Sequence, residues 1–167
     1  MQKFLSQRRH RPARSLLLCL LALLPLSGCE TVPSGVREAR LTMAQQIQAE
    51  PSGDYFIGRR YARPPYHFWG YVRRPRQPWS SAVLVVFNEN KKLAPDREQM
   101  QLGFDDNYEY RLQGYFSGDK VYEVASNRVL PEFVLTGDQL LSTHPAPIFP
   151  SRINGQKVSP LLIEKPE

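Results

Sequence analysis

The stretch Tyr108-Glu109-Tyr110-Arg111-Leu112-Gln113-Gly114-Tyr115-Phe116 alternates in polarity with a period of two. Successive side chains of a strand point to opposite faces. Tyr108, Tyr110, Leu112, Gly114 and Phe116 therefore share one face, and Glu109, Arg111, Gln113 and Tyr115 share the other. Such a period predicts a half-buried strand and excludes an amphipathic helix. Downstream, Ser117-Gly118-Asp119 reads as a hairpin turn into a second strand, Lys120 to Val124. Ser126-Asn127-Arg128 and Thr136-Gly137-Asp138 read as further breaks, flanking strands at Glu132 to Leu135 and Leu140-Leu141.

Upstream, Ala82 to Phe87 is a Val-rich continuous apolar run, as in a strand covered on both faces. His67 to Arg74 alternates, with Phe68, Gly70 and Val72 on one side and Trp69, Tyr71 and Arg73 on the other. Tyr55 to Arg60 is a short aromatic strand. Asn88 to Gly103 is a long polar connection in which Pro95 to Met100 has room for one helical turn. Val36, Ala39 or Arg40, Met43 and Ile47 recur at helical spacing, so a helix is expected from Val36 to Ala49, N-capped by Ser34 and ended by Pro51-Ser52-Gly53-Asp54. From Pro145 the chain is proline-rich; Asn154-Gly155 allows a tight turn, and Val158 to Ile163 an edge strand. The expected class is mainly β: a small curved barrel or sandwich with a short N-terminal helix. Gly70 and Gly114 would permit sharp coiling. The strand count and the long connection after the third strand resemble an OB-type barrel; an up-and-down barrel or a sandwich also fits.

The N-terminus carries an address. Arg8, Arg9, Arg11 and Arg14 precede the apolar run Leu16 to Leu24, Pro25 interrupts it, and Leu26-Ser27-Gly28-Cys29 closes it. The run is too short for a spanning helix, which needs about 20 apolar residues, and its order is that of a secretory signal. The segment resembles the signal peptide and lipobox of bacterial lipoproteins. The resemblance implies cleavage between Gly28 and Cys29 and lipidation of the Cys29 thiol. An Asp after the Cys retains many such proteins in the inner membrane; Glu30 stands there, which points to the outer membrane, facing the periplasm. Two or three acyl chains at about 0.8 kcal/mol per buried CH₂ would hold the chain on a bilayer. The alternatives are an ordinary secretory signal and an uncleaved anchor helix.

Under that reading the chain divides into a signal peptide (1–28), a tether with the short helix (29–53), the β domain (54–144) and a Pro-rich extension (145–167). The whole chain is +6, but five of its 22 basic residues and none of its 16 acidic ones precede Cys29. The remaining 139 residues carry 17 basic and 16 acidic groups, +1, so the charge is no nucleic-acid signature. The only other cysteine, Cys19, lies in the signal, which leaves the body without a disulfide or a Cys-based site.

Between Tyr55 and Asn88 there are six arginines (59, 60, 63, 73, 74 and 76), eight interleaved aromatics and no acid. Arg59, Arg60, Trp69, Arg73, Arg74 and Trp79 are the candidate partner-binding residues. Their chemistry suits an acidic envelope protein, an anionic wall polymer, lipid head groups or sugars stacked on aromatic faces; in a cytosolic protein it would suit single strands of nucleic acid, a partner the address argues against. The competing expectation is structural, with half the rings in the core and the arginines solvating the outer face; Asp105, Asp106, Glu109, Glu123 and Glu132 could also neutralise them within the fold. Asp105-Asp106-Asn107-Tyr108-Glu109 lacks the glycine of an EF-hand loop, since Tyr110 stands at the sixth position, and reads as a turn. The spacing of Asp54, Asp96, Asp105, Asp106 and Glu132 selects no catalytic pair, and His67 and His144 fit no triad. The expectation is a non-enzymatic lipoprotein, without metal or cofactor, that binds or assembles at a membrane. A wall-polymer hydrolase using two carboxylates and a purely structural tether are the alternatives.

Overall fold

The alternating stretch around Leu112 becomes the core of a long strand, β4 (Glu109–Glu123), in a computed structural model that describes residues 34–62, 68–124, 126–149 and 165–167. The other strands are β1 (Phe56–Tyr61), β2 (Trp69–Arg73), β3 (Val83–Asn88) and β5 (Arg128–Ser142). They close into one barrel in the order β1-β2-β3-β5-β4. Of the expected alternatives the molecule is thus the small closed barrel, not the sandwich. Helix α1 (Ser34–Ala49) precedes it, a 3-10 turn (Trp79–Ser81) joins β2 to β3, and the one-turn helix α2 (Pro95–Glu98) sits in the long connection. Every neighbouring pair is antiparallel except β3 and β5, which set Phe87 opposite Phe133.

The two faces of the strands separate two cores. Phe56, Val72, Val85, Phe87, Tyr110, Leu112, Phe133 and Leu135 fill the barrel, with Phe68 and Tyr108 packed against them. Phe133 is fully buried and meets Phe56, Phe87 and Phe116 edge-on at 5.0, 5.8 and 5.5 Å between ring centres, each pair stabilising by about 0.5–1.5 kcal/mol. Ile57, Tyr61 and Tyr71 point outward and form a second layer with Trp79, Ile47 of α1 and Ile148 of the segment after β5.

Two expected turns lie inside strands. Ser117-Gly118-Asp119 belongs to β4, and Thr136-Gly137-Asp138 belongs to β5. Register irregularities between Phe116 and Lys120 and between Gln113 and Gly114 absorb them, with Gly118 at φ +92°. Turn-forming residues here make bulges, which bend a strand without ending it. The chain reverses instead after Val124, with Asn127 at φ +51°. β4 and β5 therefore form one hairpin that reaches Glu123 opposite Arg128, well past the residues of β4 that pair with β1, 109–112.

Strand direction places the loops. β1, β3 and β5 run one way, β2 and β4 the other. The segments after β1, β3 and β5 emerge at one end, which we call the upper end. The β2–β3 connection and the hairpin turn lie at the lower end. The expected lipobox, including Gly28 and Cys29, the strand at Val158 to Ile163, and His67 lie outside the described residues.

Candidate functional site

β1 carries two adjacent arginines, and strand geometry sends them to opposite faces. Arg60 points into the upper end of the barrel, where it is 5 % exposed. Its Nε donates to Glu89 Oε1 at 2.6 Å, and its Nη1 pairs with Asp96 Oδ1 at 2.9 Å and Asp105 Oδ1 at 3.7 Å. The last two are ion pairs without an aligned hydrogen bond. All three carboxylates are buried. Burial opposes the Arg60 charge, but Glu89 and Asp96 outweigh it and hold the guanidinium above its ordinary pKa. Burial and the neighbouring Asp96 push the Asp105 carboxyl up, against the opposing effects of Tyr110 and Arg60. The Tyr110 hydroxyl, which donates to Asp105 Oδ2 at 3.1 Å, is raised by its own burial and then by that carboxylate.

This cluster ties the long connection to the barrel. Glu89 Oε2 accepts from Arg97 Nη1 at 3.1 Å, and Asp96 Oδ2 accepts from the Gly103 amide at 2.9 Å. Asp106 Oδ1 accepts from the Ala62 amide, and Asn107 Oδ1 from the Tyr61 hydroxyl. The oxygens of the acidic loop thus face protein donors. Among the described residues no group of three or more His, Cys, Asp or Glu side chains is disposed to hold a metal ion. The void beside Arg60, Asp105, Tyr110 and Asp138 measures about 10 Å³. A void of that size does not admit a sugar.

Arg59 points outward but is covered. Its Nη2 and Nε donate to Glu109 Oε2 at 2.7 and 3.1 Å, and its Nη1 donates to the Ala146 carbonyl at 2.8 Å. Burial lowers its pKa, and Glu109 recovers only part of the shift. Arg73, at the lower end of β2, is clamped by Glu50 just after α1, with Nη1 and Nη2 donating at 2.8 and 2.5 Å. Both guanidinia lie over the buried Trp79 ring, 4.8 and 4.6 Å from its centre. A groove of about 780 Å³ runs above them between α1 and Leu141–Ala146. Breaking one such buried pair costs about 3–5 kcal/mol, because the remaining charge stays buried.

Of the six residues expected to meet a partner, Arg59, Arg60, Arg73 and Trp79 are buried. Trp69 is half-buried and stacks on Tyr61 at 4.8 Å. Arg74 is exposed, yet it donates to Asp54 and lies over Phe56 at 4.0 Å. The six do not form one open surface, and Arg59, Arg60 and Arg73 do not solvate the outer face either: they are buried against carboxylates. Asp105 and Glu109 do neutralise arginines, whereas Glu132 accepts from Asn88. Glu50 and Glu89 escaped the sequence reading, since no local pattern marks a carboxylate whose partner is 23 or 29 residues away.

The open apolar surface lies elsewhere. On the projecting hairpin, Tyr122 stands opposite Val129, and both are exposed, as is Val124. Among the described residues, no strand pairs with β4 beyond Leu112 on the side away from β5. Comparison with family models, curated proteins and solved structures finds no match for this chain.

Proposed function

We propose that this is a lipid-anchored protein of the bacterial cell envelope, held through Cys29, whose barrel is a non-enzymatic assembly module. Its partner is another envelope protein, and the contact is the β4–β5 hairpin. The observation that carries this reading is the projecting two-stranded arm with an exposed face of Tyr122, Val124 and Val129 beside an edge of β4 that is unpaired among the described residues. Unpaired backbone donors and acceptors next to apolar side chains suit the addition of a partner strand. An anionic wall polymer fits less well, because Arg59, Arg60 and Arg73 are spent on internal carboxylates.

A photo-crosslinking residue in place of Val124, in cells, tests the contact. The expected result is one discrete protein adduct, lost when Val129→Asp is added. An adduct from Arg74 but none from Val124 would return the contact to the arginine-rich face. The address is tested separately: Cys29→Ala should abolish the lipid-dependent gel shift and release the chain from the membrane fraction.

A further inference from the structure

The upper end of the barrel exposes a second apolar surface. Met100 is 90 %, Leu102 57 % and Phe104 38 % exposed, on the loop that leads from α2 into β4. Leu140 and Leu141, in the last turns of β5, are exposed at the same end. The loop is rigid for reasons already given: Asp96, Asp105 and Asp106 bind it to the barrel beneath. Met100 is held at φ +54°, with its amide donating to the Arg97 carbonyl at 3.1 Å and the next amide to the Asp96 carbonyl at 2.8 Å. A non-glycine residue in that region costs about 1–2 kcal/mol, and the hydrogen bonds keep it there while its side chain points at solvent. Of the charged groups nearby, Lys91 and Glu98 are exposed, while Lys92 pairs with Glu98 and Asp138, and Arg97 with Glu89. The chain also enters α1 at this end: Gly35, Glu38 and Ala39 share a groove with Leu141, Ser142 and His144.

We propose that this loop is a membrane foot, with Met100, Leu102 and Phe104 set into the headgroup boundary of the bilayer that holds the lipid on Cys29. This rests on the lipid-anchor reading, which supplies the bilayer. It adds an orientation: the upper end faces the membrane and the hairpin points away from it. Apolar side chains enter the boundary, and the exposed Lys91 meets anionic headgroups. The test reconstitutes the full chain, produced with its leader, into vesicles of phosphatidylethanolamine and phosphatidylglycerol carrying nitroxide-labelled lipid. Met100→Trp and Tyr122→Trp variants are compared, with Trp69 and Trp79 a background common to both. The side chain at 100 should be quenched about twofold more than the one at 122, as expected for burial about 5–10 Å into the boundary. Equal quenching in a chain that stays vesicle-bound overturns the foot and leaves the anchor standing. A chain that leaves the membrane fraction whether or not Cys29 is present overturns the anchor, and the foot with it.

Discussion

Asp105 shows how one side chain couples the barrel to its surroundings. Its carboxyl lies 3.7 Å from the Arg60 guanidinium, accepts from Tyr110, and stands in the field of Asp96. Burial first and Asp96 second raise its pKa in the folded state. The native chain therefore holds this proton more tightly than the unfolded chain does. The stabilisation is complete below the ordinary carboxylate range, about pH 4, and is lost as pH rises through the higher folded-state value. Asp105→Asn keeps an oxygen for the Tyr110 hydroxyl and removes the titration. Urea unfolding from about pH 4 to neutrality should show the parent losing stability relative to this variant as pH rises. A difference that stays constant across that range would mean that Asp105 carries the same charge in both states.

Within the elements, two glycines separate two uses of the same residue. A Cβ on Gly114 would lie 2.3 Å from the Val134 carbonyl oxygen and 2.6 Å from the Phe133 ring, so the two strands can approach there only without a side chain. Gly118 has open space around it and a positive φ. Gly114→Ala should cost about 1–3 kcal/mol through overpacking, and Gly118→Ala about 1 kcal/mol through backbone strain alone. Midpoints of urea denaturation rank the two; a larger loss at 118 would place the crowding elsewhere. The alternation along 108–116 disclosed which residues of β4 fill the barrel, because the period-two rule is local. The length of the hairpin was not legible in this way. Ser117-Gly118-Asp119 has turn chemistry, and only pairing across to Pro131 and Leu130 keeps the strand going through it. The candidate site was legible in composition and not in role. Arginines 59, 60 and 73 stand in an acid-free stretch, and the carboxylates that bury them arrive from α1, the long connection and β4, placed by the fold.

For the molecule as a whole, the location of these pairs matters more than their number. Arg60 with Glu89 and Asp96 joins the barrel to the long connection, Arg73 with Glu50 joins it to the end of α1, and Arg59, paired with Glu109 of β4, holds the chain after β5 through the Ala146 carbonyl. All three guanidinia are buried. Mobile ions screen exposed charges beyond a Debye length of about 10 Å at 0.1 M salt, and buried pairs much less. The body is also nearly neutral, which leaves little long-range repulsion for salt to relieve. The thermal midpoint should therefore move only slightly between about 0.05 M and about 1 M sodium chloride. A Glu50→Gln variant should lose about 3 kcal/mol at either salt concentration, since it leaves the Arg73 charge buried without its counter-charge. A parent midpoint that falls steeply with salt would mean that the arginines are open to solvent. The stacked Trp79 layer would then be a mouth into the groove, and the partner surface would return to this side of the barrel.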